Sequence, residues 1–155
     1  MDVNTGDDYN YQTVPNLDLS SRNKVEFSVM AKNDAHVMLT MGSGGVFEIV
    51  IGGWGNTYST IRRSKQGSGI VGYSGTVNSN SQYKTFVIDW STPRVLKVFS
   101  KSDTGSLSLL METPQQSESV LNMKSMAVAT GWGSTGKWKV KVSAQYSLSE
   151  DFETC

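Results

Sequence analysis

The chain contains one histidine, His36, placed two residues after Asp34 in KNDAHVMLT, and two tryptophans set between glycines, Trp54 in IGGWGNTYSTIRR and Trp132 in ATGWGSTGKWKV. These residues are the natural starting points for chemistry. Acid-base or nucleophilic catalysis needs a titrating group beside a partner that tunes it. On a strand, His36 faces away from Val37 and Leu39, so an exposed or rim imidazole is expected in place of a general base. Zinc would need several His or Cys ligands at fixed spacing, and the sequence lacks them. Asp34, Asp89 and Asp103 belong to no alternating acidic run of the calcium-loop kind and are expected to be solvated. MGSGGVF, Met41 to Phe47, is glycine-rich, but a phosphate or methyl-donor loop leads into a helix. Here a strand pattern follows, which predicts a hairpin turn. No catalytic residue, metal site or cofactor is expected.

The glycine-tryptophan segments leave two readings open. Glycine neighbours free the backbone and leave each indole without bulky sequence neighbours. An indole so displayed stacks on flat apolar faces such as those of sugar rings, while amides, hydroxyls and guanidinium groups nearby supply directional bonds. On that reading the ligand-binding residues are Trp54, Asn56, Ser59 and Arg62, joined by Trp132 and Lys137, with Thr57 and Arg63 close by. On the other, both tryptophans fill the ends of a core and bond loop carbonyls through their N–H groups.

Alternation at a period of two dominates from Lys24 to Tyr146. In WKVKVSAQY, Trp138, Val140, Val142, Ala144 and Tyr146 share one face, against Lys139, Lys141, Ser143 and Gln145. VEFSVMA repeats the pattern with Val25, Phe27 and Val29 inward, and FVIDW with Phe86, Ile88 and Trp90. FEIVI places Phe47, Ile49 and Ile51 opposite Glu48 and Val50. Further strands are predicted over residues 36–40, 59–65, 70–73, 95–101, 106–112 and 125–129, separated by turn clusters such as KQGSG, STPR and SDTGS. About ten short strands, with no stretch of helical period, predict an all-β antiparallel sandwich or jelly roll. Residues 1–23 are expected to be an irregular edge or a capping strand near Tyr9 to Val14, and 147–155 a tail, within a single domain of 155 residues.

Fourteen basic and fourteen acidic side chains give zero formal charge, which removes the footprint of a nucleic-acid or anionic-membrane binder. No apolar run approaches the length of a spanning helix. The single cysteine, Cys155, is the last residue, which excludes an internal disulfide framework; an exposed tail thiol is expected, with pairing between chains of a homo-oligomer as the other reading. No charged and apolar leader follows Met1, which leaves a cytoplasmic location or an extracellular one after trimming, and there is no Asn-x-Ser/Thr acceptor.

KNDAHVMLT, FEIVIGGWGNTYSTIRRSKQG, FVIDWS and VATGWGSTGKWKV, in this order and spacing, resemble the invertebrate farnesoic acid O-methyltransferase-like domain, which accompanies DM9 repeats or sits inside larger extracellular proteins. The resemblance covers about Val25 to Val140. STPRVLKVFSKSDTG departs from the short turn common in the family after the position of Trp90. The family name implies methyl transfer from S-adenosylmethionine to farnesoic acid, whereas the module's recurrence in multidomain proteins implies recognition, as in innate immunity. The leading expectation is a non-enzymatic, lectin-like module binding carbohydrate or another surface ligand, with methyl transfer and self-assembly through strand edges as the alternatives.

Overall fold

The computed structural model describes residues 1–117 and 122–142. Strict alternation makes β3 (Lys24–Ala31) a two-faced strand: Val25, Phe27, Val29 and Ala31 are buried while the residues between them are not. Around it forms a six-stranded antiparallel sheet in the order β1 (Asp2–Thr5), β12 (Gly136–Val140), β3, β8 (Lys84–Asp89), β9 (Lys97–Lys101) and β10 (Leu107–Glu112). A second six-stranded sheet runs β2 (Gln12–Thr13), β11 (Met123–Thr130), β4 (Ala35–Met41), β5 (Val46–Gly52), β6 (Tyr58–Arg62) and β7 (Gly69–Ser74). Every strand pair is antiparallel among the described residues; the single parallel contact is an isolated bridge between Asp7 and Thr130. The all-β antiparallel sandwich is therefore the fold, with twelve strands where about ten are legible.

The core fills the space between the sheets. Register aligns Val140, Phe27 and Phe86 across three strands of the first sheet and Val128, Val37, Ile49 and Ile61 across four of the second. All seven are at most 2% exposed. At about 1.5–3 kcal/mol per fully buried large apolar side chain, these rows are what holds the layers together. Trp90 and Trp138 belong to this core, each with its indole N–H bonded, Trp90 to the Arg22 carbonyl at 3.1 Å and Trp138 to Thr5 Oγ1 at 2.9 Å.

Of the two readings of residues 1–23, an irregular edge or a capping strand near Tyr9 to Val14, the structure shows strands: β2 lies within that span and pairs with β11, β1 pairs with β12, and Val3, Val14, Leu17 and Leu19 are buried. Two other expectations need correction. FEIVI is not half wet, because Glu48 and Val50, on the outer face of the second sheet, are as buried as Phe47, Ile49 and Ile51. The alternation of WKVKVSAQY is a strand only as far as Val140. Ala144, Tyr146, the tail 147–155 and Cys155 lie outside the described residues.

Candidate functional site

Three connections converge at one end of the second sheet: residues 32–34 between β3 and β4, the tight turn Gly53–Asn56 between β5 and β6, and residues 131–135 between β11 and β12. With His36, Arg62 and Gln66 they line a cleft of about 520 Å³. Trp54 and Trp132 both line it and are 59% and 55% exposed. The core-filling alternative thus applies to Trp90 and Trp138 and not to the pair set between glycines.

Both displayed indoles sit on left-handed backbone, at φ 50° for Trp54 and 52° for Trp132. A bulky residue holds such a conformation only where its surroundings enforce it. Gly52 begins the first turn at φ 67°, and a Cβ there would lie 2.3 Å from Asn78 Nδ2. The Gly52 N–H donates to Ser59 Oγ at 2.9 Å, and Thr57 Oγ1 donates to the Trp54 carbonyl at 2.7 Å. Asn56 Oδ1 accepts from the N–H groups of Val77 and Asn78, while its Nδ2 donates to the Asn78 carbonyl at 2.9 Å. The second turn is held by Asn33 Nδ2 donating to the Trp132 carbonyl at 3.1 Å and by the Gly133 N–H donating to Asp7 Oδ1 at 2.9 Å.

The structure therefore brings Trp54, Trp132 and Arg62 together in one cleft. Ser59 is fully buried with its hydroxyl committed to Gly52, and the Asn56 amide bonds the backbone of Val77 and Asn78 in the connection between β7 and β8, so both shape the turn beneath Trp54. Lys137 is exposed on β12, opposite Asn4 and Met30 in the other sheet, and does not line the cleft.

Beneath the indoles lies a buried polar network that corrects the expectation of a rim histidine and a solvated Asp34. His36 is 1% exposed and Asp34 7%. His36 Nε2 lies 3.1 Å from Asp34 Oδ1 and Nδ1 lies 3.4 Å from Glu48 Oε2. Glu48, with no exposed surface, also accepts from the hydroxyls of Tyr9 and Tyr11, from Arg62 Nη1 at 3.1 Å and from the Gln66 N–H at 2.8 Å. Burial alone would raise the Glu48 carboxyl, but the bonds from His36, Tyr11, Tyr9 and Gln66 hold it well below the usual carboxylate range. Burial likewise opposes charge on His36, and the bonds to Asp34 and Glu48 with their charges outweigh it, so the imidazole titrates above its ordinary value. Burial, then the bond to Glu48 and its charge, push both tyrosine hydroxyls upward.

This arrangement fixes shape better than it moves protons. An imidazolium with both N–H groups given to carboxylates has no lone pair left for a general base. Its ring instead stacks against Trp132, with centroids 5.2 Å apart and planes 14° apart, while Tyr9 meets Trp132 edge-on at 4.8 Å. Arg62 joins Glu48 to Trp54, its Cζ 5.7 Å from the indole centroid. Charge and aromatic faces thus run continuously from the buried carboxylate to both exposed indoles. Tyr9, Tyr11 and Glu48 carry no site signal in the sequence, where Glu48, between Phe47 and Ile49, reads as the wet face of an alternating strand, and His36 reads there as a rim imidazole.

A sandwich of two antiparallel sheets with paired tryptophans and a sealed ionic floor at one end defines a β-sandwich domain with a loop-built cleft. The chain belongs to the farnesoic acid O-methyl transferase family, which matches residues 5–144. Among solved structures it resembles a prokaryotic beta-1,3-1,4-glucanase (lichenase) derived from a mouse hindgut metagenome. The identity is 12% and the TM-score 0.51, over 76% of this chain and 64% of the glucanase, a likeness of fold. It also resembles the metal-free form of lectin I-B4 from Griffonia simplicifolia, at 10% identity and a TM-score of 0.47, over 84% of this chain and 78% of the lectin. No curated protein matches the chain.

S-adenosylmethionine, the methyl donor implied by the family description, does not fit the glycine-rich segment. The Met41 N–H donates to the Gly45 carbonyl at 2.8 Å and the Gly44 N–H to the Met41 carbonyl at 2.9 Å, closing a hairpin between β4 and β5. A Cβ at Gly45 would meet Met41 Cε at 2.9 Å, so a methionine methyl already occupies the space against that glycine.

Proposed function

We propose that this domain is a lectin-like recognition module that binds carbohydrate in the cleft between Trp54 and Trp132. The observation that carries the reading is the exposure of both indoles, 59% and 55%, on turns held in left-handed geometry over a buried ionic network. Large aromatics left in water do little for the fold, and rigid ones suit binding because little freedom is lost when a ligand arrives. A pyranose stacked on either indole buries apolar C–H surface, while its hydroxyls reach Asn33, Asp34, Gln66 and Arg62 around the cleft. Recognition of foreign or altered surface glycans, as in invertebrate innate immunity, is the setting this reading suits.

A glycan array probed with the wild type, Trp54→Ala and Trp132→Ala tests it. The expected result is binding by the wild type, with a loss of tenfold or more in each variant and melting temperatures kept within about 2 °C, as for exposed positions. No binding by any of the three, or equal binding by all of them, overturns the proposal.

A further inference from the structure

Resting on that reading, we infer that the cleft selects saccharides bearing a carboxylate, uronic or sialic acid residues, over their neutral counterparts. Its ionisable lining is unbalanced: Lys32, His36 and Arg62 against Asp34 alone. The acids near it are already engaged. Asp34 accepts from Asn33 Nδ2 at 2.7 Å and from His36 at 3.1 Å, and Glu48, behind the lining, is closed off by five donors. Asp7 lies outside the lining and accepts the Gly133 N–H. Two of the three bases are less engaged: both ring nitrogens of His36 face carboxylates, whereas Arg62 makes one hydrogen bond, through Nη1, to Glu48, and the Lys32 ammonium has no partner among the described residues. Leaving out His36, whose ring nitrogens both face carboxylates, Lys32 and Arg62 balance Asp34 and Glu48, and because both acids are closed off by donors the cationic groups are the ones open to an anionic ligand.

Geometry narrows the anion to one fixed directly on a ring. A pyranose stacks about 4 Å above an indole at van der Waals contact. The Arg62 guanidinium carbon stands over the Trp54 ring, 5.7 Å from its centroid, farther out than a stacked contact. An exocyclic carboxylate, one bond out from a ring stacked on Trp54, comes within reach of that guanidinium, whose planar fork suits a planar anion. A sulfate ester carries its charge farther from the ring and is tetrahedral. The sugar face and the carboxylate are thus read by neighbouring groups, Trp54 from the turn and Arg62 from β6, the strand that follows it.

The test compares matched probes by calorimetry: lactose, sialyllactose and 6′-sulfolactose, and tri-galactose against tri-galacturonate. Each is measured with wild type, Lys32→Gln and Trp54→Ala at low and high salt. Carboxylated probes are expected to bind at least tenfold more tightly than their neutral parents. Lys32→Gln should cut that preference severalfold, as should raising the salt, since the attraction is screened. Equal affinity for neutral and carboxylated probes, both lost in Trp54→Ala, overturns the anion selectivity and leaves the carbohydrate site standing. A preference for the sulfated probe alone overturns the assignment to carboxylates. No binding of any probe, with the glycan array also blank, removes both.

Discussion

Replacing Glu48 by Gln tests whether the ionic floor holds the cleft together. Glu48 has no exposed surface and accepts from Tyr9, Tyr11, His36, Arg62 and the Gln66 N–H. Gln keeps the volume but removes the charge that compensates His36 and Arg62, and turns an NH2 group toward a ring of donors. Breaking a buried ion pair by removing one partner costs about 3–5 kcal/mol. In a domain of this size each kcal/mol moves the melting temperature by about 2–4 °C, so a fall of roughly 6–20 °C is expected. Thermal unfolding followed by circular dichroism at pH 6 reads it. The pH profile separates this mechanism from plain misfit. The folded Glu48 carboxyl titrates below its ordinary 4.5, so its contribution is complete above that value and is lost as the pH falls through the folded value. The folded His36 titrates above its ordinary 6.5, so its contribution is complete below that value and is lost as the pH rises through the folded value. Both are complete between pH 4.5 and 6.5, where the wild type gains most from the network, and Glu48→Gln should flatten the profile on both sides. A variant within 2 °C of wild type, or one with an unchanged pH profile, would refute the account of the floor.

Two further substitutions test the turn that displays Trp54. Ser59→Ala strands the buried Gly52 N–H and should cost about 1–3 kcal/mol in urea unfolding, with weaker glycan binding than the loss of stability alone explains; a neutral result contradicts the role given to Ser59. Gly52→Ala places a Cβ 2.3 Å from Asn78 Nδ2 at φ 67° and should cost about 2 kcal/mol or more by the same measurement, because left-handed strain of about 1–2 kcal/mol adds to the clash.

The sandwich was legible because its core obeys a local rule. Val25, Phe27 and Val29, or Trp138 and Val140, announce an inner face through their own spacing, and neighbouring strands repeat it in register. The displayed tryptophans were legible in part, since flanking glycines mark an unusual backbone without saying whether the indole turns in or out. The floor was not legible. Glu48 reads as a wet residue on an alternating strand, and what buries it comes from elsewhere: Tyr9 and Tyr11 from a segment that reads as irregular, His36 from the adjacent strand and Gln66 from the following loop. Contacts between residues 37 and 39 positions apart leave no mark in a window of ten. Ser59 and Asn56 are ambiguous in sequence for the opposite reason: hydroxyls and amides beside an exposed aromatic look like ligand contacts, and buried backbone groups in a strained turn call on the same side chains.

That competition explains the division of labour at the site. Strain at Trp54 and Trp132 must be offset: the polar residues nearest Trp54 in sequence, Asn56, Thr57 and Ser59, are spent on its turn, and Asn33, from a distant connection, is spent on that of Trp132. Groups left to meet a ligand must therefore come from farther along the chain or from positions whose bonding is incomplete. Arg62 meets both conditions, since it lies one strand beyond the turn, gives one nitrogen to Glu48 and flanks Trp54 at 5.7 Å. Its orientation depends on the carboxylate it pairs with, which couples ligand preference to the buried floor: loosening Glu48 should blur the discrimination between charged and neutral sugars before it abolishes stacking on the indoles.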